Sequence, residues 1–228
     1  MKIKHIFSWL LLLGSCFCFS QNDSIPNVAP ESVLKDGIYL SFDDLKTNNP
    51  LPKENVINND DKTQSDFISK TLSSNKEIMF TYKGSQYRAE VSKIWGYCQN
   101  GNVYVHYADK FARITVFGNI SHFLATVMVT RYVSNGGYGG YGMGMGYGGG
   151  YSVPVKQAEV HEFLMDYNSG DIIECTPTNL ETFLSKDMRL YNQYLQIKKR
   201  KRKDFMILYI RKYNAEHPIT IPVSVTGK

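Results

Sequence analysis

From residue 78 onward, apolar and polar positions alternate in short runs separated by turn residues, the period of half-buried β-strands. Ile78–Tyr82 and Tyr87–Val91 flank Lys83-Gly84-Ser85. Ile94–Cys98 and Val103–Tyr107 flank Gln99-Asn100-Gly101-Asn102, whose Asn-Gly pair suits a tight hairpin turn. Ala112–Phe117 stops at Gly118-Asn119. Phe123–Val133 and Val153–Tyr167 are two long strands around a glycine-rich stretch, and Asn168-Ser169-Gly170-Asp171 turns into Ile172–Cys175. Upstream, Gly37–Phe42 makes a short strand, and Asp43-Asp44-Leu45 a turn or one helical turn that Asn48-Asn49-Pro50-Leu51-Pro52 ends. Residues 53–76 are mostly polar, with a loop at Asn58-Asn59-Asp60-Asp61.

The C-terminal quarter changes period. Thr178-Asn179-Leu180-Glu181 reads as a capping box, and Leu180, Phe183 and Leu184 share one helical face. Asp187 suits a second N-cap. Tyr191, Leu195, Met206, Tyr209 and Tyr213 recur at near-helical spacing as far as Asn214, short of Pro218. The pattern predicts an α+β fold: an antiparallel β-meander of about eight strands with a C-terminal helical segment packed on one face. Trp95, Tyr97, Val103, Val105, Ile114, Val116, Phe123 and Leu124 are the expected core.

The N-terminus has a different logic. Lys2 and Lys4 precede an apolar run from Ile6 to Leu13, and Cys18 and Ser20 give the small-x-small spacing of signal-peptidase sites before Gln21. The run falls short of the ~20 residues a membrane span needs, so no transmembrane span is expected after cleavage. Residues 1–20 are therefore expected to be a signal peptide, 21–35 a flexible lead-in, and 36–228 a single α+β domain with a glycine-rich loop at 135–151. Export places the protein in the periplasm, at the outer-membrane surface or outside the cell. Leu13-Gly14-Ser15-Cys16 offers an alternative, a lipoprotein anchored through an acylated Cys16.

Charge adds little until its distribution is considered. The first twenty residues hold two of the 26 basic residues and none of the 21 acidic ones, so the remainder carries +3. That balance does not require a nucleic-acid partner, and export removes one. Yet Lys198, Lys199, Arg200, Lys201, Arg202 and Lys203 are six cations in a row, a candidate polyanion-binding segment for anionic lipid or lipopolysaccharide. On a solvated helix the same run would need no ligand. The stretch 135–151 holds ten of the 18 glycines and no charge; its Tyr138, Tyr141, Met143, Met145, Tyr147 and Tyr151 could pack on a partner such as an envelope protein. It would equally serve as a tolerated insertion at a hairpin tip. Outside the leader only Cys98 and Cys175 remain, a possible disulfide in an oxidising compartment, or two buried thiols that never meet.

Catalytic chemistry finds little support. GxSxG, HExxH and P-loop patterns are absent, and the glycine tract opens no helix as a dinucleotide-binding GxGxxG turn must, so no catalytic, cofactor-binding or metal-ligating residue is assigned and no cofactor is expected. Cys98 and His106 imitate a Cys–His pair without a local signature, and Asp43-Asp44 are adjacent residues that point apart. His122 and His161 fall near each other if the long hairpin is symmetric, and Asp109 or Glu162 could then complete a metal site. Isolated histidines are more often surface or hydrogen-bonded core residues.

The segments GIYLSFDDLKTNNP, IWGYCQNGNVYVHY, FARITVFGNISHF, LSKDMRLYNQY and YIRKYNAEHPI together resemble a family of uncharacterised exported proteins of Bacteroidota-type Gram-negative bacteria. The resemblance covers residues 37–219 apart from the glycine loop. It implies location and a single-domain architecture, and no activity, ligand or catalytic residue. The function expected is that of a non-enzymatic binding or scaffold protein of the cell envelope or extracellular space. A hydrolase or metal-dependent enzyme with an unrecognised site is the alternative.

Overall fold

The computed structural model describes residues 34–58, 60–134 and 152–222. The signal segment, the lead-in up to residue 33 and the glycine-rich stretch with its tyrosines and methionines lie outside the described residues.

The described strands are β1 (Gly37–Tyr39), β2 (Val56–Ile57), β3 (Glu77–Tyr82), β4 (Ser85–Glu90), β5 (Gly96–Gln99), β6 (Asn102–Tyr107), β7 (Lys110–Val116), β8 (Ile120–Ser134), β9 (Ser152–Asp166) and β10 (Ile172–Glu174). Helices are α1 (Phe42–Lys46), α2 (Phe67–Ser74), α3 (Pro177–Leu184), α4 (Met188–Gln196) and α5 (Arg202–Glu216). The antiparallel meander with a C-terminal helical layer is what the structure shows, but the meander is divided. A seven-stranded sheet runs β1-β5-β6-β7-β8-β9-β10, and β2-β3-β4 form a separate sheet. The division falls at Val91–Lys93, a 3₁₀ turn where Val91 and Ile94 both drop into the core beneath the small sheet. The mostly polar segment 53–76 contains α2, whose Phe67, Ile68 and Leu72 pack into the same cluster.

The turn residues act as their chemistry dictates. Asn100 and Gly101 both have positive φ (53° and 71°), the hairpin geometry that Asn-Gly favours. α3 begins two residues earlier than expected: Thr176, not Thr178, accepts from the Asn179 N–H at 3.2 Å, and Pro177 takes the first helical position, where no N–H is needed. Asp187 is the N-cap of α4, its carboxylate accepting from Arg189 N and Leu190 N at 3.0 Å each.

Two apolar layers cover the two faces of the large sheet. On one, Phe123, Phe163 and Met165 pack with Tyr39, Cys98, Val105 and Tyr167. On the other, Ile120 and Leu164 meet Leu180, Leu184, Leu190, Tyr194 and Ile210 of the helices. Asn214 on α5 fastens the helical layer: its Oδ1 accepts from Ile120 N and its Nδ2 donates to Ile120 O, both at 2.8 Å. Gly118 makes the approach possible, since a Cβ there would lie 2.5 Å from the Asn214 side chain. Leu124, expected in the core, is instead exposed, because it points away from Phe123 onto a part of the hairpin that the helices do not reach. Cys98 and Cys175 are both free and buried, one in each layer. The sheet lies between them, so the considered disulfide does not form.

Candidate functional site

The six-cation run does not lie on one continuous helix. The helix expected from Asp187 to Asn214 breaks after Gln196, Lys199–Lys201 form a 3₁₀ turn, and α5 starts at Arg202. Arg202 builds the corner. Its guanidinium donates to Leu195 O at 2.8 Å, Ile197 O at 3.1 Å and Glu181 Oε1 at 2.7 Å, and lies over the Tyr194 ring. These bonds satisfy carbonyls that the end of α4 leaves open. With its side chain only 15% exposed, Arg202 is a structural residue and not part of a free cationic surface. Lys198, Lys199, Arg200, Lys201 and Lys203 remain exposed. They crowd the N-terminus of α5, where no side chain caps the helix and Asp204 is the one acid in the first turn. The positive end of the helix dipole adds to their charge.

The base of the β8–β9 hairpin lies between the two apolar layers; the rest projects as an arm. Pairing is continuous from Ile120↔Asp166 to Ser134↔Ser152. Along the arm Met128 (65% exposed), Tyr132 (74%) and Val160 (65%) stand on the face that carries Leu164 at the base. Arg131 pairs with Glu159 on the other face, holding that carboxylate below its usual range.

The hairpin's register separates the two histidines. His122 pairs with Leu164 and Ala125 with His161, an odd offset that puts the imidazoles on opposite faces. His161 lies near Glu159 and Glu174, at 3.4 and 3.5 Å. His122 faces the helical layer, and there the structure brings in Cys175, which follows β10 and precedes the cap of α3. Ligand atoms of His122, Glu162 and Cys175 all lie within 4.8 Å of one another. His122 is 4% exposed. Its Nδ1 is 2.7 Å from Thr115 Oγ1, and that hydroxyl is also 3.0 Å from His122 O. Its Nε2 is buried, has no hydrogen-bond partner, and lies 3.6 Å from Glu162 Oε2. Burial holds the imidazole below its usual 6.5 against the pull of Glu162. Burial, with Glu162 adding to it, pushes the Cys175 thiol up to about 12, while Lys203 opposes. At neutral pH both groups are therefore uncharged.

Other groupings are structural. Asp187, Glu216 and His217 also converge, but Asp187 caps α4, His217 Nε2 bonds it at 2.9 Å, and Glu216 pairs with Arg189. Cys98 and His106 point to opposite faces of the sheet, and burial pushes the Cys98 thiol up to about 12. Asp44 closes a capping box with Ser41 at the start of α1. A concavity between α2 and the large sheet is lined by Asp66, Lys70, Tyr97, His106, Asp109 and Phe111. Asp109 lies there, away from His122. No helix among the described residues is long and apolar enough to cross a membrane.

A family of unknown function, DUF6563, matches residues 37–217, which is most of the chain and nearly all of the described fold. The chain belongs to the DUF6563 family. No curated protein and no solved structure matches it significantly. The matched DUF6563 region runs from β1 to the end of α5, so the basic junction, the hairpin and the His122 cluster all fall within it.

Proposed function

We propose that this DUF6563 protein is an exported, non-enzymatic binding or scaffold protein of a Gram-negative envelope of Bacteroidota type, held on anionic lipid or lipopolysaccharide by its basic junction. The observation that carries the reading is the crowding of Lys198, Lys199, Arg200, Lys201 and Lys203 at an uncapped helix start. Like charges at the positive end of a helix repel one another and the dipole, a cost that a phosphate-bearing surface relieves. The leader-like residues 1–20 support export, and a periplasmic or surface location supplies such phosphates. The glycine-rich stretch, with its uncharged tyrosines and methionines, suits a contact with a second envelope protein.

Each cation near an anionic membrane contributes about 1 kcal/mol, screened by salt. Replacing Lys199, Arg200, Lys201 and Lys203 by Gln while keeping Arg202 should therefore weaken binding to phosphatidylglycerol-containing vesicles about a thousandfold. Vesicle co-sedimentation at low ionic strength, with neutral vesicles as control, measures it. Equal retention of the two proteins on anionic vesicles refutes the reading.

A further inference from the structure

We propose that His122, Glu162 and Cys175 form a zinc site that takes the ion through Nε2, a carboxylate oxygen and the thiolate sulfur. The geometry of His122 points there first. Thr115 has one hydroxyl proton and lies 3.0 Å from His122 O, where that proton is donated. Its oxygen then accepts from Nδ1–H at 2.7 Å. That leaves the Nε2 lone pair facing the Glu162 carboxylate at 3.6 Å, buried and without a donor. A buried lone pair opposite a carboxylate is an arrangement that a cation resolves, and a hydroxyl holding the far nitrogen is the support that metal-bound imidazoles use.

The donor set and spacing fit the ion. Imidazole, carboxylate and thiolate together suit borderline-soft Zn²⁺, whereas Mg²⁺ and Ca²⁺ take oxygen ligands. Zinc–ligand bonds of about 2.0–2.3 Å give tetrahedral donor–donor edges of roughly 3.3–3.6 Å. The Nε2–Oε2 separation is already such an edge, and the remaining pairs lie within 4.8 Å. Glu162, whose side chain is 43% exposed, has the freedom to close that difference. Binding is ligand exchange without redox change: the aqua ion sheds all but one of its waters, Cys175 releases its thiol proton to solvent, and the sulfur–zinc bond forms. One thiolate and one carboxylate neutralise the dication, with Lys203 of α5 and Glu174 of β10 the further charges acting on Cys175. Three protein ligands leave one position for water. The ion would join β8, β9 and the β10–α3 connection, tying the hairpin base to the helical layer.

The test uses the full chain, stripped of metal by chelator and kept reduced. Zn²⁺ is titrated against a chromophoric indicator, and Co²⁺ is followed by its absorption. The expected result is one equivalent per chain, a thiolate-to-cobalt charge-transfer band, and a Zn²⁺ affinity in Glu162→Gln weaker by at least the roughly ten- to hundredfold that losing an outer-shell partner costs. Glu162→Gln is isosteric at a half-exposed position, so it reports on the site even if Cys175→Ser or His122→Gln fails to fold. Circular dichroism checks the fold of each variant. Absence of the charge-transfer band, unchanged affinity in folded Glu162→Gln, or loss of binding in His217→Asn instead would each overturn the proposal.

Discussion

The two ends of the β8–β9 hairpin share strands, register and hydrogen-bond ladder, yet they live in different surroundings. At the base, Phe123, Phe163, Leu164 and Met165 are buried between two apolar layers. Along the arm, Met128, Tyr132, Val155 and Val160 carry similar side chains into solvent. Strand propensity and pairing set the conformation of both, but only the base removes apolar surface from water. The ladder specifies shape, and burial supplies the stability.

Truncation at the base should have the largest effect. Leu164→Ala empties space against Leu180, Leu184 and Ile210 and should cost about 2–5 kcal/mol in urea unfolding. A loss no greater than that of an exposed valine would mean the helical layer packs elsewhere. Gly118→Ala is smaller but local: the new Cβ must displace Asn214, breaking its two bonds to Ile120, and about 1–3 kcal/mol should be lost. Adding Asn214→Ala to that variant should cost little more, since the clamp is already gone, and a double-mutant cycle measures this. The smallest change expected comes from the largest deletion. Removing residues 128–158 and joining Val127 to Glu159 through Asn-Gly should move the melting temperature by no more than about 2 °C, because none of the described residues removed is buried. A large drop would erase the distinction between base and arm.

Much of the architecture was legible because its signals are local. Asn100-Gly101, Gly170 and the alternating runs mark strands and turns by backbone preference alone, and Asp187 announces a helix start within four residues. What stayed hidden depends on distant partners. α2 has three core contacts in a polar stretch, too few for a periodic pattern, and they matter only once β3 and β5 are in place. The helix break at Ile197 is invisible in a run of good helix formers, because the group that stabilises it is Arg202 reaching back to Leu195 and Ile197. The basic run was legible as charge, but not as five surface cations and one structural one. The His122 cluster was half legible: Glu162 was a candidate partner, whereas the hairpin register removes His161 and the β10–α3 connection supplies Cys175.

The projecting arm has a consequence for self-association. β7 leaves β8 at Phe123, and β10 reaches β9 only at Phe163–Met165. From Leu124 and His161 outward the ribbon therefore has two raw margins among the described residues, each a row of peptide groups bonded on one side only. Such margins recruit extended segments of other molecules, and their own copies first of all. The sequence works against this. Pro154 takes one donor out of β9, and Arg131, Lys156 and Glu159 place charge along the ribbon that a stacking copy would have to bury or repel. Replacing Pro154 and Lys156 with β-branched residues would turn a tolerated protrusion into a template for fibre growth.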